Sequence, residues 1–412
     1  MYKSLILNAL SRNLLLLTIF LLAACGKETS SLKTGPWRGV ITMQGQEMPF
    51  NFTVDSVKGG VSVTLRNAEE RLLLDEVRME GDTAIMVMHI FDAELRAKVA
   101  GDSLKGYFVK NYEKNYRLPF RAAAGQTFRF KDADVNPSVD FSGTWATTFT
   151  NETDTTIAVG IFKQNGNIVT GTFLTPTGDY RYLEGNVVGN TMKLSVLDGN
   201  HAFLFTAEKI SDNELTGTYR SGKAWMQTWK AVRNDNATLP DAGILTALKD
   251  GIDTFPFSFP NEDSILVTAD DAQFKGKPVI IQILGTWCPN CMDETKFLSA
   301  WYRENKSKGI AVVGLAFESG DEFGYAASRV RKMRQKTGVE YPVLIAGNKD
   351  KKKAAEALPM LREVVAFPTT IYVGKDGKVK KIHTGFNGPG TGVHYERFIE
   401  DFNATVDGTL KN

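Results

Sequence analysis

The chain has 412 residues, enough for about two to four domains, and its 42% hydrophobic and 23% charged content is ordinary for a globular protein. A formal net charge of only +2 gives no support for a nucleic-acid partner or for a membrane surface bound by charge. The three cysteines, Cys25, Cys288 and Cys291, are too few for a disulfide scaffold.

Residues 1–24 read as a targeting segment. Lys3 and Arg12 form a basic start, and Leu14 to Leu22 form an apolar core too short for a spanning helix of ~20 residues. The run Leu22-Ala23-Ala24-Cys25 that follows resembles a bacterial lipobox, in which the cysteine becomes the lipid-modified first residue. That resemblance implies a signal peptide over 1–24 and a lipid anchor at Cys25. It places the chain outside the cytoplasm, on the periplasmic side of a membrane, where disulfide chemistry is permitted. An ordinary secretory cleavage site before a cysteine is the alternative. Residues 25–35 are small and polar and fit a flexible tether.

Residues 36–130 read as antiparallel β. Alternating runs at Trp37–Met43, Met48–Val54, Val61–Leu65, Thr83–His89 and Leu104–Lys110 are broken by turns such as Gly59-Gly60, Gly81-Asp82 and Gly101-Asp102. Residues 140–232 repeat the plan. Gly143-Thr144-Trp145 echoes Gly35-Pro36-Trp37, and Gly189-Asn190-Thr191 echoes Gly81-Asp82-Thr83, both at an offset of about 108 residues. Asn165-Gly166 predicts a hairpin with a type I′ turn. The expectation is two tandem, duplicated β domains. The G-x-W opening followed by meander strands resembles the calycin group, which implies a barrel, and such barrels often hold a small ligand. A sandwich, or a barrel filled by its own side chains with each Trp as core, is the plainer reading.

Residues 233–254 are polar, carry Pro240 and read as a linker, with a short helical patch predicted at Ile244–Leu248. From residue 255 to 412 strands alternate with helices. A hairpin at Phe255–Phe259 and Ile265–Thr268 precedes strand Val279–Leu284, helix Pro289–Asn305, strand Ala311–Phe317, helix Phe323–Thr337 and strand Tyr341–Leu344. A short helix near Lys352–Leu358, strands Thr369–Val373 and Val379–His383, and a helix Val393–Val406 complete the pattern, which predicts a mixed sheet with helices on both faces.

Chemistry is concentrated at Gly285-Thr286-Trp287-Cys288-Pro289-Asn290-Cys291, where a β-branched strand gives way to an amphipathic helix. Cys288 is predicted at the helix N-cap and Pro289 at the first helical position. Unpaired N–H groups at a helix start favour an anion, and so a nucleophilic thiolate. Cys288 is the expected nucleophile and Cys291, one turn on and more buried, the resolving thiol. A zinc half-site would need further ligands, and no second cysteine pair or histidine cluster lies nearby in sequence. A static disulfide staple is the other plain reading.

C-x-x-C at such a junction reads as a thioredoxin-type redox motif. Gly276-Lys277-Pro278, the motif itself, Glu294, Val312-Val313-Gly314-Leu315, Phe367-Pro368-Thr369-Thr370-Ile371-Tyr372-Val373, Asp376-Gly377 and Gly385 together resemble the TlpA/ResA-like family of membrane-anchored extracytoplasmic thioredoxins. The resemblance implies a C-terminal α/β thioredoxin-like fold and thiol–disulfide oxidoreductase activity. It implies no cofactor, a protein thiol or disulfide as substrate, and an electron donor in the membrane. It further implies a cis-Pro368 beside the cysteines, a substrate platform of Trp287, Pro289, Phe367 and Pro368, and an acidic residue, Glu294, that relays a proton to or from Cys291. An exposed Glu in the helix's first turns is the plain reading of Glu294. The chain departs from thioredoxins at Gln282, where they carry a buried Asp; Gln cannot titrate, which puts that proton path in doubt.

Net reduction of protein disulfides is the leading functional reading. A peroxiredoxin-type peroxidase fits less well, because Gly285 and Ile281 stand where its motif wants Thr or Ser and Pro. A binding or scaffold lipoprotein, in which the β domains dock a partner or small ligand, is the alternative from another class.

Overall fold

The computed structural model describes residues 31–131, 133 and 136–411, so the predicted signal segment and Cys25 lie outside the described residues. The strands of residues 35–124 form because apolar and polar side chains alternate along them. In Tyr116–Ala124, for example, Tyr116, Leu118, Phe120 and Ala122 are buried while Arg117, Pro119 and Arg121 face out. Nine antiparallel strands follow one another round the sheet, and the first, Gly35–Met43, pairs with the last in register Ile41↔Phe120. The two edge strands, Glu70–Leu74 and Val77–Glu80, are consecutive in the chain, so the sheet is a nearly closed barrel.

Residues 143–233 form a second nine-stranded sheet, and pairing of Thr155–Asn165 with Ile168–Thr175 closes it. The two sheets share one local detail. Trp37 Nε1 donates to Lys33 O at 2.8 Å and Trp145 Nε1 to Phe141 O at 3.1 Å, each reaching four residues back, and both indoles are fully buried. The second interior is packed with aromatic rings, Phe149 against Phe173 at 5.0 Å and Phe205 against Tyr219 at 4.5 Å. The two tryptophans are therefore core, and each N–H is satisfied. The hairpin at Asn165 differs from its predicted turn type. Register Asn165↔Ile168 places Gly166-Asn167 at the tip, and of these only Gly166 has a positive φ, of 59°. A type I′ turn needs two.

The third sheet has the order Val343–Asn348, Ala311–Glu318, Val279–Leu284, Thr369–Val373, Val379–Thr384. The first three strands are parallel and the last two antiparallel. Helices α1 (Pro289–Asn305), α2 (Phe323–Thr337), α3 (Lys351–Ala357) and α4 (Val393–Lys411) cover it. The two parallel crossovers step in one direction, so right-handed connections put α1 and α2 on one face. There they join Phe398 and Phe402 of α4 over Ile280, Leu284 and Val312. The other face, with Ile281, Ile283 and Val313, is covered by Ala354 of α3, by Val267 of the strand pair Ser258–Pro260 and Leu266–Thr268, and by Phe257 just before that pair. Helices lie on both faces, as predicted, but three to one.

Two expectations about the connection change. Ile244–Leu248 is a set of turns, not a helix. From Ala242 onward the supposed linker is bound to the third sheet's unit: Thr384 N donates to Ala242 O at 3.1 Å, Lys249 N to Met360 O at 2.9 Å, and Thr246 and Thr384 share a buried 2.8 Å hydroxyl contact.

Nor are the units beads on a string. Arg129 of the first barrel's trailing segment donates to Arg66 O at 2.8 Å and lies 3.3 Å from Glu184 of the second barrel. Helix α2 lies against the first barrel, with Tyr325 donating to Asp92 at 3.1 Å and Lys332 and Lys336 paired with Glu76 and Asp75 at 3.0 and 2.6 Å.

Candidate functional site

The central strand ends at Leu284, and four residues, Gly285 to Cys288, carry the chain into α1. Gly285 is demanded by packing: a Cβ there would meet Trp287 Nε1 at 2.2 Å and Phe317 O at 2.9 Å. Thr286 is fixed by Glu318, which accepts from its N–H at 2.9 Å and from its hydroxyl at 2.7 Å. Trp287 Nε1 donates to Phe317 O at 2.8 Å, its ring meets Phe367 edge-on at 5.7 Å, and Lys349 Nζ lies 5.2 Å over it.

Cys288 is the N-cap of α1, with φ −98° and ψ 115°, and Pro289 opens the helix. The Cys288 sulfur accepts the Cys291 N–H at 3.3 Å, and its thiol lies 3.5 Å from Phe367 O. Both thiols are free. Cys291 is fully enclosed and Cys288 only 7% exposed, so the expected nucleophile reaches solvent through a narrow opening. Burial pushes the Cys291 thiol well above the usual range, and the neighbouring Cys288 pushes it the same way. The Phe367–Pro368 peptide bond is cis.

Glu294 is buried, 1% exposed, which sets aside its reading as a solvated first-turn residue. Its carboxyl accepts from Gln282 Nε2 and from Thr370 Oγ1, both at 2.7 Å. Gln282 in turn accepts from Thr295 Oγ1 at 3.1 Å. Burial pushes the Glu294 carboxyl up to about 7, against the pull of those two hydrogen bonds. The departure at Gln282 is therefore structural as well as chemical: an amide, which cannot titrate, carries a hydrogen-bond chain from Thr295 to a carboxyl that can.

The structure brings Cys288, Cys291, Trp287, Pro289 and Phe367 together, with Glu294 in the core of the same unit. It also brings in residues with no local signal in the sequence, because their partners are more than 80 positions away. Asn200 Nδ2 donates to Trp287 O at 2.9 Å, Arg181 Nη1 to Pro289 O at 3.2 Å, and Asn290 Nδ2 to Asp179 O at 3.1 Å. Arg181 also forms ion pairs with Asp293 of α1 and Glu70 of the first barrel, all three nearly enclosed. Burial pushes the Asp179 carboxyl up to about 6, although it accepts from the Gly388 N–H at 2.6 Å. Among the described residues no group of three His, Cys, Asp or Glu is arranged to hold a metal ion.

Residues 250–396 match the model of the Redoxin family. Thiol-disulfide oxidoreductase ResA of Bacillus subtilis (strain 168) is 27% identical over 128 residues, 31% of this chain and 64% of that protein. The ResA protein of Bacillus thuringiensis subsp. konkukian (strain 97-27) is 30% identical over 106 residues, 26% of this chain and 54% of that protein. The chain thus spans between about half and two thirds of the length of these relatives. A thioredoxin-family thiol:disulfide interchange protein from Chlorobium tepidum TLS has 22% identity and a TM-score of 0.30, covering 40% of this chain and 99% of that one. The thioredoxin domain of a thiol-disulfide oxidoreductase from Bacteroides vulgatus has 22% identity and a TM-score of 0.28, covering 37% and 99%.

Proposed function

With residues 250–396 a Redoxin-family domain of thioredoxin-like fold, we propose that the chain is a membrane-anchored, extracytoplasmic thiol–disulfide oxidoreductase that reduces protein disulfides. The observation that carries this reading is the pair of free thiols on one helix turn, with Cys288 capping α1 and accepting the Cys291 N–H at 3.3 Å.

The Cys288 thiolate attacks one sulfur of a substrate disulfide. That S–S bond breaks, a Cys288–substrate disulfide forms, and the other substrate sulfur leaves as a thiolate and takes a proton. Cys291 then loses its proton and attacks Cys288 Sγ. The second substrate thiol leaves, and a Cys288–Cys291 disulfide holds the oxidation. Two electrons have passed to the substrate, and a dithiol donor at the membrane restores the resting state. The high proton affinity of the enclosed Cys291 thiol makes its deprotonation the step that needs help, and Glu294, pushed up to about 7, is the group matched to that task near neutral pH. Trp287, Pro289, Phe367 and Pro368 form the platform against which the substrate chain lies. Lipid on Cys25 supplies the anchor.

Trapping tests the assignment. A Cys291→Ser chain accumulates a mixed disulfide through Cys288, and a Cys288→Ser chain does not. Equal trapping by both would overturn the choice of nucleophile. Membrane recovery of the full chain, lost in Cys25→Ala, tests the anchor.

A further inference from the structure

The second barrel touches the redox motif through two loops, residues 175–182 and 198–201. Between them they hold the three groups that flank Cys288 in the chain. Trp287 O accepts from Asn200, Pro289 O accepts from Arg181, and the Asn290 side chain donates to Asp179 O. Asn200 is itself fixed from the first barrel, its Oδ1 accepting from Tyr112 OH at 2.7 Å. The approach is close enough to need glycine on both sides. A Cβ on Gly178 would lie 2.4 Å from Asn290 Nδ2, and one on Gly385 would lie 2.8 Å from the Thr177 carbonyl carbon. These contacts are made to the motif itself, not to some remote face of its domain.

Disulfide exchange needs the three sulfurs nearly in line, so the attacking sulfur must see its target along a clear path. Cys288 is 7% exposed, and the barrel loops occupy the side given by Trp287 O, Pro289 O and Asn290. On its other sides Cys288 is flanked by Phe367, the Trp287 ring and Lys349, whose Nζ also lies 4.7 Å over the Tyr112 ring of the first barrel.

We propose that the second barrel is the substrate-selecting collar of the dithiol, admitting disulfides carried on small molecules or on flexible, extended chain and turning away those set in the surface of a folded domain. The inference rests on the dithiol function proposed above and names its substrate class. It gives the duplicated β region a role at the chemistry. Asn200, Asp179 and Arg181 act as positioning residues, since none of them touches the reacting sulfurs.

The test uses the full chain and three probes: a small aromatic disulfide, a mixed disulfide on a short unstructured peptide, and the same mixed disulfide on a surface cysteine of a folded globular protein. Dithiothreitol supplies the unselective reference ratio. The expected result is a peptide-over-protein preference at least about tenfold beyond that reference. Asn200→Ala, which removes two inter-unit hydrogen bonds, narrows the preference by roughly tenfold when the peptide and protein rates are each taken relative to the small disulfide. Thr177→Trp, an exposed substitution that lengthens the collar, widens the preference and keeps the idea testable if the first variant folds poorly. A wild-type preference equal to that of dithiothreitol overturns the collar, as does a variant that slows all three probes alike. Failure of the wild type to reduce even the small disulfide would instead overturn the dithiol function.

Discussion

Gln282 Nε2 donates a 2.7 Å hydrogen bond to Glu294 inside the buried core of the redox unit, so a residue that departs from the thioredoxin pattern is bonded to a titratable carboxyl. The amide's hydrogen bond holds the proton affinity of Glu294 below what burial alone would give, whereas a second carboxylate at Gln282's place would add repulsion to desolvation and raise it further.

The Glu294 carboxyl is pushed from its ordinary 4.5 up to about 7. Between those values the folded chain holds a proton that the unfolded chain has released, so folding stability falls as pH rises across that window and is flat above it. Glu294→Gln is expected to remove this slope. The difference in unfolding free energy between the two chains should grow from pH 4.5 to pH 7, reaching on the order of 3 kcal/mol in favour of the variant. Urea unfolding at pH 4.5, 6 and 8 checks it; parallel curves for the two proteins would show that Glu294 is not the titrating group. In exchange kinetics the same variant should lose the limb near pH 7 in the resolving step, while the first attack by Cys288 is unchanged.

Gln282→Leu removes one of the two hydrogen bonds that oppose the burial effect on Glu294 and leaves the Thr295 hydroxyl without its partner. It should cost about 1–3 kcal/mol of stability. It should also move the pH limb of the resolving step to higher pH, opposite in sign to a simple loss of packing. Rapid-quench measurement of mixed-disulfide decay against pH reads that shift.

Trp145→Phe deletes the N–H that reaches Phe141 O and leaves a void where the second indole ring was fully buried. On the order of 2–4 kcal/mol of stability should be lost, about 1 kcal/mol of it the hydrogen bond, and Trp37→Phe should cost a similar amount, with its bond to Lys33 O lost in the same way. Calorimetry on both variants compares them directly. A large cost for one and none for the other would mean that the repeated bond does not do the same work in the two barrels.

Arg181→Met leaves Glu70 without its cation, and Asp293 with only the half-exposed Lys296 at 3.6 Å, in a site that is nearly enclosed. The expected cost is about 3–5 kcal/mol, well beyond that of an exposed ion pair. Adding Glu70→Gln and Asp293→Asn in the same chain should recover much of it, because the loss comes from uncompensated charge and not from missing contacts.

The thioredoxin-like unit was legible because its signals are local. A β-branched run, Val279–Leu284, then a glycine turn, then Cys288 at a helix start can be read within 15 positions, and the structure places each where the pattern does. The matching settings of Trp37 and Trp145 were legible for the same reason. Other features depend on partners far apart in the chain. Glu294 reads as an ordinary helix carboxylate until Thr370 and Gln282 close over it from two strands. Arg181 and Asn200 sit in short polar loops indistinguishable in sequence from solvated turns, and their partners Asp293 and Trp287 belong to another unit. Ile244–Leu248 carries helical spacing, but its backbone is drawn into contacts with Met360 and Arg362, and that tertiary pairing overrides local propensity.

The triad of Glu70, Arg181 and Asp293 takes one member from each of the three folded units. Unfolding any one unit breaks at least one of these two ion pairs, and the hydrophobic cluster that runs from Trp37 and Phe50 to Leu298 and Phe402 joins the first barrel to the redox unit. The chain should therefore melt in a single calorimetric transition with matching calorimetric and van't Hoff enthalpies, unlike a set of independent modules joined by linkers. A proteolytic nick within 234–241 should leave the halves associated until denaturant separates them.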